Sequence, residues 1–343
     1  MDKLVRRLLF SVDPERAHDW ALRCLDTAAW LGWSNGLAAG TPDEAVELMG
    51  LRFPNRVGSA AGIDKNADHI RGLTALGFGF IEVGTVTPRA QAGNERPRLF
   101  RVPDRRAVIN RLGFNNAGMD YALDRLAATP SDAVVGVNIG KNRDTPMTGA
   151  VNDYVQAFER VHGYADYVAV NLSSPNTPGL RALQAGDALH ELLGELKARQ
   201  RRLANEQARY VPLVVKIAPD MADDELVTLA RALVAAEVDG VTATNTTTDH
   251  ASVADARHGD ETGGVSGAPL MAPSTAVLAR LRAIVGPQLP IIGVGGVLTG
   301  EDAEAKRCAG ADLVQVYTGL VYRGPRLVRE MRGSMAQPST HPE

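Results

Sequence analysis

The chain has 343 residues, enough for one large α/β barrel or two ordinary domains. With 45% hydrophobic and 22% charged residues it reads as a globular protein that can bury a large core, and a net charge of −3 gives no global electrostatic case for nucleic acid. Its two cysteines, Cys24 and Cys308, make neither a disulfide framework nor a metal cluster; both stand in helical contexts and read as reduced thiols of a cytosolic protein.

Residues 1–39 are expected to form two short helices. Leu4, Val5, Leu8 and Leu9 recur at helical spacing with Lys3, Arg6 and Arg7 on the other side, and Pro14 opens a second amphipathic segment through Trp20 and Leu25. All three tryptophans, Trp20, Trp30 and Trp33, fall here. Two readings fit: a packed hairpin with its tryptophans against the main domain, or a membrane-surface element with a basic face, an apolar face and aromatic anchors. No run of about 18 apolar residues occurs, so no spanning helix is expected. The N-terminus also lacks the long apolar stretch and cleavage site of a signal peptide.

From about residue 50, short Val- and Ile-rich runs alternate with longer amphipathic segments. The runs cover 56–62, 78–84, 134–140, 167–173, 213–218, 240–245, 291–295 and 313–317. Segments between them, at 66–76, 151–162, 185–205, 223–236, 274–285 and 301–309, carry helical periodicity or good helix formers. Eight strands alternating with helices predict a (β/α)₈ TIM barrel over 40–335, with a doubly wound open sheet as the alternative. A hairpin near 99–112, turning at Pro103-Asp104-Arg105-Arg106, interrupts the alternation. The chain turns small and polar from Gly333, and 336–343 is expected to fray.

In such a barrel the chemistry sits at the C-terminal ends of the strands. Here those ends carry Asn138, Asn171, Asn176 and Asn245. One Asn after a strand is an ordinary turn former; four at equivalent ends suit a planar ligand with alternating carbonyl and N–H groups, such as a pyrimidine or an isoalloxazine. Lys65 and Lys216 stand in apolar surroundings, where lysine is rare unless paired. They read either as snorkelling side chains or as cations facing an anionic substrate or developing negative charge. Gly267, Gly295, Gly296 and Gly319 mark the last strands, where barrels commonly hold a phosphate. There is no Walker A sequence, no Gly-x-Gly-x-x-Gly and no metal-spaced Cys/His cluster. The segment Asn171-Leu172-Ser173-Ser174-Pro175-Asn176-Thr177-Pro178-Gly179 puts hydroxyls at a strand end before a Pro-rich loop, either a capped turn or a proton acceptor beside a flavin.

Seven segments in order resemble the dihydroorotate dehydrogenase family: 60–65 (AAGIDK), 110–116 (NRLGFNN), 137–141 (VNIGK), 171–180 (NLSSPNTPGL), 215–220 (VKIAPD), 244–247 (TNTT) and 316–319 (VYTG). The likeness spans about Asp13 to Gly324. It implies one FMN per chain, held by Ala61, Gly62, Ile63, Asp64, Lys65, Thr85, Asn138, Asn171, Lys216, Thr244, Gly267, Gly296, Tyr317 and Thr318, the last four around its phosphate. It implies dihydroorotate or orotate bound by Lys65, Asn110, Arg111, Leu112, Gly113, Phe114, Asn171, Asn176, Asn245 and Thr246. Ser174, where soluble relatives carry Cys, and the 13–18 segment (DPERAH) resemble the quinone-linked class, in which His18, Arg101 and Tyr317 line a quinone tunnel. The short first helix and Trp20 and Trp30 have no counterpart that carries over.

The resemblance thus implies oxidation of dihydroorotate to orotate in pyrimidine (UMP) biosynthesis, with a membrane quinone as final acceptor. Ser174 would take the proton, Thr177 would relay it, Phe114 would shield the path, Lys65 would pair with the substrate carboxylate and Lys216 would steady the reduced flavin. The chain is expected at the cytoplasmic face of the cell membrane, held peripherally through its N-terminal helices, with neither nucleic acid nor an obligate protein partner. A soluble fumarate- or NAD-linked dehydrogenase, another flavin barrel such as a tRNA dihydrouridine synthase, and a ligand-binding barrel without catalysis are the alternatives.

Overall fold

A computed structural model describes residues 3–32, 45–177 and 179–336. Trp33, Pro178, the expected boundary at 39–40 and the tail from 337 lie outside the described residues, as do the side chains of Lys3, Leu4 and Val5.

Eight parallel strands close into a barrel. They are β3 (Val57–Ser59), β4 (Phe80–Val86), β7 (Val134–Ile139), β8 (Tyr167–Asn171), β9 (Leu213–Ile217), β10 (Gly240–Ala243), β12 (Ile291–Val294) and β13 (Leu313–Val316), in that order around the ring. Each of the eight apolar runs supplies one of them. The runs read as strands because they are short, β-branched and buried on both faces, as parallel barrel strands must be.

Alternate residues of a strand share a face. At the strand starts, Phe80, Val134, Tyr167, Val214, Ile292 and Leu313 meet in one apolar cluster. Beneath it lies a hairpin that sequence reading missed, β1 (Val46–Leu48) with β2 (Leu51–Phe53), whose Phe53 joins the cluster. The hairpin therefore plugs the bottom of the barrel, and the cavity opens at the C-terminal mouth. A larger cluster between strands and outer helices forms the main core.

The hairpin expected at 99–112 is β5 (Leu99–Val102) with β6 (Ala107–Asn110), turning through Pro103–Arg105 and a left-handed Arg106. A third strand, β11 (Gly264–Gly267), pairs antiparallel with β6. Its four residues, half of them glycine, gave no strand signal of their own. The C-terminal helix Arg326–Met335 runs through Gly333 and buries Met335, so the polar tail begins later than Gly333; helical packing of Leu327, Val328 and Met331 carries the last turn.

The N-terminal segment folds as α1 (Lys3–Ser11) and α2 (Pro14–Trp30). Asp13 caps α2 by accepting the Glu15 and Arg16 N–H groups. The pair is fastened to the barrel rim. Glu15 takes the buried Arg98 guanidinium at 2.6 Å and Arg96 at 2.8 Å. Asp26 takes His69 Nδ1 at 2.5 Å and the Gly72 N–H at 3.1 Å. Arg101 donates to the Leu9 and Val12 carbonyls, both at 3.1 Å, closing the end of α1. Trp20 and Trp30 are 53% and 72% exposed, which removes the reading that packs them against the main domain. Cys24 and Cys308 are free, exposed and helical, as expected.

Candidate active site

Two to four residues above the apolar cluster, the same inward faces turn polar. Glu82, Asn138, Asn171, Lys216 and Gln315 are all buried there. Glu82 Oε1 accepts the Asn138 amide at 2.8 Å; its Oε2 accepts the Tyr167 hydroxyl at 3.0 Å and the Gln315 amide at 2.8 Å. Lys216 Nζ stands 3.9 Å from Glu82 Oε1. Tyr167 reaches this layer because Gly136 has no side chain: a Cβ there would lie 2.1 Å from the tyrosine ring.

A chain of hydrogen bonds continues around the rim. Thr85 donates to Asn138 Oδ1 at 2.6 Å, and Asn171 donates to Thr85 Oγ1 at 3.1 Å. Asn245 donates to Ser173 Oγ at 3.0 Å and to Asn171 Oδ1 at 3.3 Å. Every amide is thereby held in one orientation.

Above this layer a cavity of about 1030 Å³, counted to its open mouth, is walled by strand ends and by the sheet of β6 and β11. Lys65, Lys216, Ser174, Asn176, Phe114 and Gln315 stand on its wall. Burial drives the Lys216 pKa down, opposed by Glu82. Burial also lowers Lys65, against Asp19, Glu15 and Asp64. Ser174 Oγ accepts the Asn176 N–H at 3.2 Å.

A second cavity of about 960 Å³ lies under α1 and α2. Its wall is nearly all apolar, from Leu9, Phe10, Ala17, Leu22, Ile63, Leu320 and others, with His18, Arg101 and Tyr317 as its polar members. His18 Nε2 donates to the Ile63 carbonyl at 2.8 Å, and burial, then the charge of Lys65, pulls its pKa down to about 3. Arg101 lies over the Phe10 ring at 4.7 Å. No hydrogen bond joins His18 to Arg101 among the described residues; each is anchored elsewhere. Tyr317 belongs to both walls, and burial pushes its hydroxyl up to about 12.

A model of the family described as dihydroorotate dehydrogenase matches residues 44–337. The chain belongs to the dihydroorotate dehydrogenase family. A relative from Herminiimonas arsenicoxydans, named dihydroorotate dehydrogenase (quinone), is 51% identical over 340 residues, 98% of each chain. One of the same name from Pseudomonas fluorescens (strain Pf0-1) is 49% identical over 98% of this chain and 99% of its own. A crystal structure of Eimeria tenella DHODH in complex with ferulenol superposes with a TM-score of 0.85 at 38% identity, covering 94% of this chain and 90% of that one.

Most residues expected from the family motifs converge on the first cavity. Ala61, Gly62, Lys65, Thr85, Asn110, Leu112, Gly113, Phe114, Asn171, Ser174, Asn176, Lys216, Thr244, Asn245, Thr246, Gly267, Gly296, Tyr317 and Thr318 form its wall. Five others stand behind it. Asn138 lies one bond below the wall. Asp64 turns from the mouth to accept the Asn66, Asp68 and His69 N–H groups, shaping the loop that presents Lys65. Ile63 faces the second cavity. Arg111 extends outward to Glu261 and the Thr262 and Pro97 carbonyls. Thr177 is buried off the wall. Sequence reading missed Glu82 and Gln315, and it placed Ser173 at the strand end without a role in the site. Both missed residues were visible as lone polar residues in Phe-Ile-Glu-Val and Leu-Val-Gln-Val, in phase with inward-facing Phe80 and Leu313.

Proposed function

We propose that this chain oxidises (S)-dihydroorotate to orotate and passes the electrons to a membrane quinone. The observation that carries the reading is the pair of cavities, one polar and one apolar, that share Tyr317 in a chain about half identical to relatives named for that reaction.

The family is flavin-dependent, and the first cavity fits one FMN. Gln315 Oε1 is buried on its wall without a hydrogen-bond partner, an acceptor that a ring N–H satisfies. Gly296 has φ +83°, and a Cβ there would lie 2.3 Å from Met271, so the bare backbone leaves a cradle for a phosphate beside Gly267, Tyr317 and Thr318. Ala61 to Lys65, Thr85, Asn138, Asn171, Lys216 and Thr244 would hold the rest. FMN bound there supplies the two-electron acceptor for the hydride leaving the substrate.

Ser174 removes the proton from the substrate carbon beside the carbonyl. A hydroxyl is a weak base at neutral pH, so its proton must move on, and Thr177 is the nearby hydroxyl for a water relay. Phe114 excludes bulk water. Lys65 pairs with the substrate carboxylate, and Asn110 to Gly113, Asn171, Asn176, Asn245 and Thr246 fix the ring. Lys216 stabilises negative charge on the reduced ring system.

The second cavity suits a quinone head, with Arg101, His18 and Tyr317 as its polar contacts and an apolar path for the tail. The extension of residues 1–39 would be the docking unit for this cavity, on a barrel over 40–335. Exposed Leu8, Trp20 and Trp30 on α1 and α2, with exposed Arg6 and Arg7 on α1, suit peripheral contact with the cytoplasmic face of a membrane. No helix among the described residues is long and apolar enough to cross one.

The test separates the half-reactions. Purified protein should be yellow, bleach anaerobically with dihydroorotate, and regain colour with a lipophilic quinone. A flavin-free protein that FMN does not reconstitute, or one inert to dihydroorotate, would sink the reading.

A further inference from the structure

Lys216 needs a partner to remain a cation where it lies. It is 5% exposed, and a buried ammonium without a counter-charge gives up its proton. In register with it on the two neighbouring strands stand neutral groups, Asn171 of β8 and Thr242 of β10, and Asn138 of β7, Tyr167 of β8 and Gln315 of β13 gather with it at Glu82. Burial holds the Tyr167 hydroxyl far above its ordinary value, so it stays protonated. Among the described residues, the charged group that bears on Lys216 is Glu82, from β4. Glu82 is wholly buried, and each of its hydrogen-bond partners, Asn138 Nδ2, Tyr167 Oη and Gln315 Nε2, is a donor. Three donors around one carboxyl is the pattern that an ionised, acceptor-only carboxylate requires. The 3.9 Å gap to Lys216 leaves the ammonium hydrogens free to turn toward the cavity while the charges remain coupled.

We propose that Glu82 is the positioning residue that keeps Lys216 charged, so that the cavity meets the negative charge of a reduced flavin with a permanent cation rather than by taking up a second proton. The inference rests on the cavity being the flavin site. Its consequence is a proton count. With Lys216 always charged, two electrons enter with one proton, the one bound by the flavin. With Glu82 neutralised, Lys216 is uncharged in the oxidised protein and binds a proton each time two electrons arrive. The midpoint potential then gains one further proton per two electrons, a tenfold change in equilibrium constant per pH unit, about 30 mV.

The experiment is spectroelectrochemical titration of the flavin-loaded full chain between about pH 7 and 9. Wild type should change by about 30 mV per pH unit, and Glu82→Gln by about twice that. Glu82→Asp, which keeps the charge, should restore the wild-type slope. Tyr167→Phe, which removes a hydrogen bond from the same carboxylate but no charge, should leave it unchanged. In Lys216→Met, adding Glu82→Gln should change the slope no further. A wild-type slope already at two protons per two electrons overturns the proposal without any variant. So does a wild-type slope in Glu82→Gln, or a steepened one in Tyr167→Phe, which would reduce Glu82 to packing. Absence of flavin from the wild-type protein would instead overturn the site reading beneath it.

Discussion

His18 Nε2 donates to the Ile63 carbonyl at 2.8 Å, fastening α2 to the loop that carries Lys65 two residues on. The contact fixes the tautomer: the proton sits on Nε2, and Nδ1 is left as an acceptor. It also makes stability pH-dependent. Folded His18 titrates near pH 3 against an ordinary 6.5, so the unfolded chain binds the proton first. This contribution is complete above pH 6.5, is lost as pH falls from there toward 3, and is flat below. Between pH 7.5 and 5 the protein should lose about 1–2 kcal/mol through this group. His18→Gln keeps a donor without the titration, and urea unfolding of that variant should be less pH-dependent over the same range. An undiminished pH dependence would remove His18 from the account.

Ser174→Ala should leave flavin bound and orotate binding within a few-fold. Reduction by dihydroorotate should slow by about 10²–10⁴-fold, the usual worth of a general base. Ser174→Cys should recover part of the rate, because an oriented thiolate is a competent base. Anaerobic stopped-flow that follows bleaching of the flavin absorbance reads both; a wild-type rate in Ser174→Ala removes the role.

Gly296→Ala tests the phosphate cradle. The new Cβ would fall 2.3 Å from Met271 N and Cα at a φ of +83°, so the backbone must move. Such strain costs about 1–3 kcal/mol, and the loss should appear chiefly as weakened FMN retention. Fluorescence of flavin released on dilution measures it. Retention equal to wild type would mean the phosphate sits elsewhere.

Trp20 and Trp30 are anchors without a packing role if the membrane reading holds. Replacing both with Ala should change folding stability by no more than about 0.5 kcal/mol each. Co-sedimentation with anionic vesicles should fall, and turnover with a long-tailed quinone in vesicles should fall more than turnover with a short soluble one. Stability lost in step with vesicle binding would restore the packed-hairpin reading.

Arg101 offers a different test of the second cavity. Its guanidinium closes α1 through two carbonyls and lies over Phe10, while burial lowers its pKa. Arg101→Ala should slow quinone reduction by about tenfold or more while dihydroorotate still bleaches the flavin at the wild-type rate, since loss of one charge-assisted contact is worth about 1.5–3 kcal/mol. Equal loss in both half-reactions would show that it only holds the helices in place.

The sequence alone determined the barrel, because eight buried β-branched runs separated by amphipathic helices leave few other closures. It also determined the motif residues at the mouth, since barrel chemistry collects at strand ends and those ends carry Asn, Lys, Ser and Gly side by side. It did not give β11, whose Gly-Val-Ser-Gly has no strand propensity and pairs only because β6 offers it an edge. Nor did it give the plug hairpin at the barrel bottom, whose three-residue strands are too short to carry a period. The polar layer was half legible: period-two phasing put Glu82 and Gln315 inward, but their meeting with Lys216 depends on strands far apart in sequence coming together around the ring. Arg111 and Thr177 mark the same limit from the other side. A motif fixes where the backbone passes, whereas the direction of a side chain is decided by the packing and hydrogen-bond partners that only the closed barrel brings within reach.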